Sequence, residues 1–126
     1  MNHGQKFIEL VDQAKKEITE YSPESLHSRI EANDQLILID CREYEEWVNG
    51  IIPKAKHLSK GVIERDIETK VPDTSKEIII YCGGGYRSAL AAQNLKKMGY
   101  HNVLSLAEGF RGWKERGLPI ISPSDE

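Results

Sequence analysis

The residues best suited to chemistry lie in one short segment, Cys82-Gly83-Gly84-Gly85-Tyr86-Arg87-Ser88. It follows the apolar run Ile78-Ile79-Ile80-Tyr81 and precedes a helical pattern, so a cysteine stands where a buried strand hands over to a helix. Three successive glycines let the backbone turn with its N–H groups pointing inward, in conformations that a Cβ would penalise. The helix beginning near Arg87 adds unpaired N–H groups and the positive end of its dipole. Such a cradle favours an anion, and a cysteine at its base is held as thiolate more than an ordinary thiol. A thiol with a pKa near 8.5 is about 3% ionised at pH 7, while one near 6.5 is about three-quarters ionised. The blander reading is a buried cysteine followed by a flexible glycine turn. Strand, glycines, arginine and helix in this order favour the nucleophile.

A second candidate position is Asp40-Cys41-Arg42, which follows the apolar run Leu36-Ile37-Leu38-Ile39. Ligands of parallel sheets bind beyond the carboxyl ends of the strands, which marks both this segment and Cys82. Side chains alternate along a strand, so Asp40 and Arg42 can share one side as an ion pair that braces a neighbouring loop, with Cys41 opposite. Cys41 itself reads as a small buried residue. Arg87 has two readings: it faces the pocket and grips an anion with its fork, or it turns back to a carboxylate such as Asp40 and holds the loop. The second is favoured, because loop N–H groups and the helix end already serve the anion. His3, His27, His57 and His101 are scattered without ligand spacing, and two cysteines do not close a zinc site, so no metal is expected. Trp47 and Trp113 read as core or pocket-wall aromatics. Lys54, Lys56, Lys60 and Arg65 read as a solvated basic face.

The elements that must position these residues follow from periodicity. Phe7, Ile8, Val11, Ala14 and Ile18 fall near helical spacing and predict an amphipathic N-terminal helix. Ser22-Pro23 opens a second helix, with a capping hydroxyl and a proline at the first turn, running to about Ala32. The runs Leu36–Ile39 and Ile78–Tyr81 are continuous rather than alternating, the mark of strands covered on both faces. Short helices are expected at Tyr44–Val48 and Val62–Lys70, a longer one at Ser88–Met98 stopped by Gly99, a strand at Asn102–Leu106 and a last helix at Phe110–Arg116. Strands alternating with helices predict an α/β fold with a parallel sheet and right-handed crossovers.

At 126 residues the chain is sized for one domain that folds without staples. Seventeen Lys and Arg against twenty Asp and Glu leave a net charge of −3, which argues against a surface built for nucleic acid. The start of the chain lacks the apolar core of a secretory signal, and no apolar run reaches membrane-spanning length. A cytoplasmic, reducing setting is expected, with no membrane and both thiols free.

Cys82-x-x-Gly85-x-Arg87-Ser88 resembles the active-site loop of single-domain rhodaneses, sulfurtransferases that carry sulfur as a cysteine persulfide. The likeness runs from about Ser22 to Ile120. Asp40-Cys41-Arg42-Glu43 with Glu46-Trp47 resembles the family's Asp-x-Arg-Glu segment. Gly50-Ile51-Ile52-Pro53-Lys54-Ala55 resembles its Gly-His-Ile-Pro-Gly-Ala stretch, with Ile51 for His and Lys54 for Gly. Leu106-Ala107-Glu108-Gly109-Phe110-Arg111-Gly112-Trp113 resembles its late Glu-Gly-Gly-x-x-x-Trp box.

The resemblance implies a three-layer α/β domain over residues 21–122; the N-terminal helical extension (1–20), expected from its apolar spacing, lies outside the likeness, and a tail (123–126) follows. It implies that Cys82 is the catalytic residue, that Gly83, Gly84, Gly85, Tyr86, Arg87 and Ser88 cradle the persulfide, and that Asp40 and Arg42 support the loop. The expected partners are a small anionic sulfur donor such as thiosulfate and a thiol or cyanide acceptor, with an acceptor protein as a further candidate and no cofactor. Two rivals stand beside it: a non-catalytic interaction module of the same fold, and a cysteine phosphatase or arsenate reductase relative. Phosphatases of this kind place five residues between nucleophile and arginine, whereas four lie between Cys82 and Arg87. On this reading Cys41 has a sharper alternative, a resolving thiol that reacts with a persulfide or sulfenate on Cys82.

Overall fold

The computed structural model describes residues 3–125. Met1, Asn2 and Glu126, the extremities of the expected extension and tail, lie outside the described residues. A five-stranded sheet, parallel throughout, runs in the order β1-β5-β4-β2-β3. Its strands are β1 (Thr19–Tyr21), β2 (Leu38–Asp40), β3 (Lys56–His57), β4 (Ile78–Tyr81) and β5 (Val103–Leu106). The helices are α1 (Gln5–Lys15), α2 (Pro23–Glu31), α3 (Tyr44–Trp47), α4 (Lys60–Lys70), α5 (Tyr86–Lys97) and α6 (Gly109–Glu115). This is the expected parallel α/β architecture with an additional N-terminal helix.

The central strand shows why its sequence is continuous rather than alternating. Ile78 and Ile80 pack with Ile63 and Ile67 of α4 and Leu95 of α5, while Ile79 and Tyr81 pack with Leu26 of α2 and Trp113 of α6. All four strand residues are fully buried because each face has its own helical layer. Continuing the alternation, Cys82 falls on the α4/α5 face with Ile80.

Local chemistry sets the element ends. Ser22 caps α2, its Oγ accepting from the Ser25 N–H at 3.1 Å, with Pro23 at the first turn. Gly99, at φ 102, follows the end of α5. Two strands went unforeseen. β1 has only three residues, of which Thr19 and Glu20 are exposed, and it ends the first helix at Lys15 rather than at Ile18. β3 has only two residues; Lys56, exposed as a solvated basic face requires, pairs through its backbone at the sheet edge beside Ile39. Neither carries the apolar run that marks a strand, since edge strands are covered on one side at most. At the end of the domain Ile121 bridges Ile51, and in the tail Pro123–Asp125 form a 3₁₀ turn. Among the described residues no helix is long and apolar enough to cross a membrane.

Candidate active site

Register places the two cysteines side by side. Asp40 pairs with Tyr81 across β2 and β4, and the Cys41 N–H donates to the Tyr81 carbonyl at 2.9 Å. Cys41 and Cys82 are therefore the next residues at the carboxyl ends of adjacent strands, both in the same core cluster. From there the chain turns into the Gly83–Gly85 loop and enters α5, with Gly85 in the left-handed region at φ 93. A Cβ is disfavoured in that conformation, and the turn brings the start of α5 back over the sulfur.

Cys82 Sγ accepts hydrogen bonds from the Gly85 N–H at 3.2 Å and the Ser88 N–H at 3.3 Å. Ser88 Oγ lies 3.4 Å away and is itself 2.8 Å from Ser105 Oγ. The neighbouring Cys41 thiol, the Ser88 hydroxyl and the two N–H groups together hold the Cys82 thiol well below the ordinary cysteine range, against the opposing effect of burial. Cys41 moves the other way, pushed up by its contact with Cys82, by burial and by the nearby negative charges. The two neighbouring thiols are thus shifted in opposite directions, Cys82 toward ionisation and Cys41 away from it. Cys41 is buried, as expected, and lies beside Cys82.

The start of α6 holds this loop. The Phe110 N–H donates to the Cys82 carbonyl at 2.7 Å and the Arg111 N–H to the Gly83 carbonyl at 2.9 Å. Gly109, at φ 58, lies so close that a Cβ there would come within 2.5 Å of the Cys82 carbonyl oxygen. With these carbonyls drawn outward to α6, the loop's Gly85 N–H is left to face the sulfur.

The remaining expected residues are placed as follows. Arg42 chelates Asp40 through Nε and Nη2 at 2.8–3.1 Å, donates to the Gly50 carbonyl at 2.7 Å and stacks on Phe110 at 4.1 Å. Both residues are buried on the face away from Cys82. Arg87 does turn back to a carboxylate, but the partner is Glu46 and not Asp40. Nη1 and Nη2 meet Oε1 and Oε2 at 2.8 and 3.2 Å. Asp40 is already occupied by Arg42, whereas α3 carries Glu46 up to the loop. Tyr86 turns its ring away from the sulfur to His3, Phe7 and Lys15, so it offers the site only backbone. Glu46, Ser105 and Arg111 went unassigned by sequence reasoning. Each reaches the loop through tertiary packing, and only the three-residue spacing of Glu43 and Glu46, which forms a capping box, was locally visible.

A model of the rhodanese-like domain family matches residues 22–116. The chain belongs to the rhodanese-like domain family. An Allochromatium vinosum protein named a sulfurtransferase is 34% identical over 106 residues, covering 84% of this chain and 97% of its own. Among solved structures, a Rhodopseudomonas palustris protein described as of unknown function and a possible tyrosine phosphatase superposes with a TM-score of 0.82 at 26% identity, covering 96% of each chain. The polysulfide-sulfur transferase homodimer of Wolinella succinogenes superposes at 0.75 with 28% identity, covering 94% of this chain and 89% of that one. Within the rhodanese-like domain, Lys54 stands where the family has glycine and adopts φ 76. Its Nζ donates to Asn33 Oδ1 at 2.9 Å and to the Asp34 carbonyl at 3.0 Å.

Proposed function

We propose that this rhodanese-like domain is a sulfurtransferase that carries sulfane sulfur as a persulfide on Cys82. The reading rests above all on the Cys82 sulfur held low in pKa at the base of the loop by Cys41, Ser88 and the loop N–H groups. A thiolate so placed is a nucleophile, and the same donors suit the charge of a terminal persulfide sulfur. With thiosulfate, the thiolate attacks the outer sulfur, the S–S bond breaks, and sulfite leaves with the bonding pair. Cys82–S–S⁻ remains. Cyanide or a cellular thiolate, free or on an acceptor protein, then takes the outer sulfur and restores the thiolate. The residues that act need no cofactor, and a reducing cytoplasmic setting keeps both thiols free.

The phosphatase alternative is disfavoured by the four residues between Cys82 and Arg87 and by the engagement of Arg87 with Glu46. The non-catalytic alternative leaves the depressed thiol without a purpose. Mass spectrometry of the thiosulfate-treated chain tests the proposal. One added sulfur, removed by cyanide and absent from Cys82→Ser, is expected. Sulfur loading that persists in Cys82→Ser, or aryl phosphate hydrolysis that outpaces sulfur transfer, would overturn it.

A further inference from the structure

The loop is flanked by two guanidinium groups, and only one of them is engaged. Arg87 lies against Gly83, where its Nη2 would be 2.8 Å from a Cβ, and its fork is taken by Glu46. Arg111 lies over Gly84, where Nη1 would be 3.3 Å and Nη2 3.4 Å from a Cβ. Of the six arginines, Arg29, Arg42, Arg65, Arg87 and Arg116 each face a carboxylate. Among the described residues Arg111 faces none. Its backbone is not loose, because its N–H is tied to the Gly83 carbonyl, and its side chain is exposed. An exposed, carboxylate-free fork thus lies over the tip of the loop whose base is Cys82, on a molecule of net charge −3 that would otherwise repel a dianion.

We infer that Arg111 is the donor-binding residue of this site and selects sulfane donors whose leaving group is an oxyanion of the sulfonate type. The inference rests on the proposed sulfur transfer. A donor whose outer sulfur points at Cys82 carries its oxyanion outside the loop, over Gly84, where the guanidinium can take two oxygens in parallel. As the S–S bond breaks, negative charge grows on that departing oxyanion. Arg87, held by Glu46, keeps the shape of the loop instead.

Sulfite, the leaving group of thiosulfate, probes this without any sulfur moving. It is titrated into the reduced, nitrogen-labelled chain while the amide resonances of Gly83, Gly84 and Gly85 are followed. Arg111→Gln should raise the half-saturating sulfite concentration about tenfold, the loss of one charge-assisted fork. Arg111→Lys should fall between the two, since it keeps the charge and loses the fork. Lys97→Gln, the same charge change at the far end of α5, should bind sulfite as the unaltered chain does. The KM for thiosulfate should follow the sulfite series. Sulfite that leaves the loop amides unmoved in the unaltered chain, or that binds Arg111→Gln equally well, would overturn the inference. Arg111-dependent sulfite binding in a chain that never loads sulfur would overturn the proposed function and leave the anion site standing.

Discussion

Cys82 gathers the Ser88 hydroxyl and two N–H donors besides its neighbouring thiol, whereas Cys41 has burial and the charges of Cys82 and Asp40 against it. That asymmetry favours ionisation at Cys82 over Cys41. A thiol whose folded pKa is lowered stays charged below the ordinary cysteine range and loses that charge as pH falls through the lowered value, together with the stability that the charge contributes. Cys41→Ala removes the first contributor to that lowering. The pH midpoint of thiolate absorbance should therefore move up toward the ordinary cysteine range, at a stability cost of about 1 kcal/mol. An unmoved midpoint would reduce Cys41 to packing. A Cys41–Cys82 disulfide that forms readily on oxidation, and is lost in Cys41→Ala, would instead assign it the resolving role. The sequence shows Cys82 plainly, because glycines and a helix start follow it directly. The placement of Cys41 beside Cys82 is invisible there, since it depends on a register between strands far apart in the chain.

Arg87 and Glu46 couple α5 to α3 across a separation of 41 residues, which makes loop shape a property of two elements. The Arg87 guanidinium holds the Glu46 carboxyl below its ordinary range. The sign follows: the stabilisation is complete above the unfolded carboxyl value, about 4.3, and is lost as pH falls through the lowered one. Because the pair is partly exposed, its worth is about 1 kcal/mol or less. Arg87→Lys should lower the melting temperature modestly near neutral pH and slow all donors alike, since the fork is lost while the charge stays. Glu46→Gln should flatten the acid limb of melting temperature against pH. A variant Arg87→Lys with altered thiosulfate affinity and unchanged stability would place Arg87 on the donor instead. The competition between Asp40 and Glu46 for this arginine could not be read from spacing, because both lie more than forty residues before it and only the packing of β2 and α3 decides which one reaches the loop.

At the scale of the whole molecule, α1 adds a layer outside the matched span of the family. Val11 and Ala14 bury against Ala89 and Leu90 of α5, and Phe7 reaches Tyr86 at the loop. Val11→Ala removes two methyl groups from a site only 2% exposed. The cost should be about 2 kcal/mol, seen as a fall in melting temperature of roughly 6–10 °C by calorimetry. No change in melting temperature would mean that α1 is not part of the cooperative fold. The sequence by itself determined the parallel α/β fold, the central strand and the loop with its cysteine, because each is written in contiguous residues: an apolar run, a glycine turn, a helix start. It also determined that a helix precedes the domain, from apolar spacing alone. Only the tertiary structure decided the edge strands β1 and β3, whose few half-covered residues leave no periodic trace. It likewise decided the pairing of Arg87 with Glu46, the thiol beside Cys82 and the open guanidinium of Arg111. Those depend on which elements the sheet order brings together, and that order is set by the burial of both sheet faces at once rather than by any one segment.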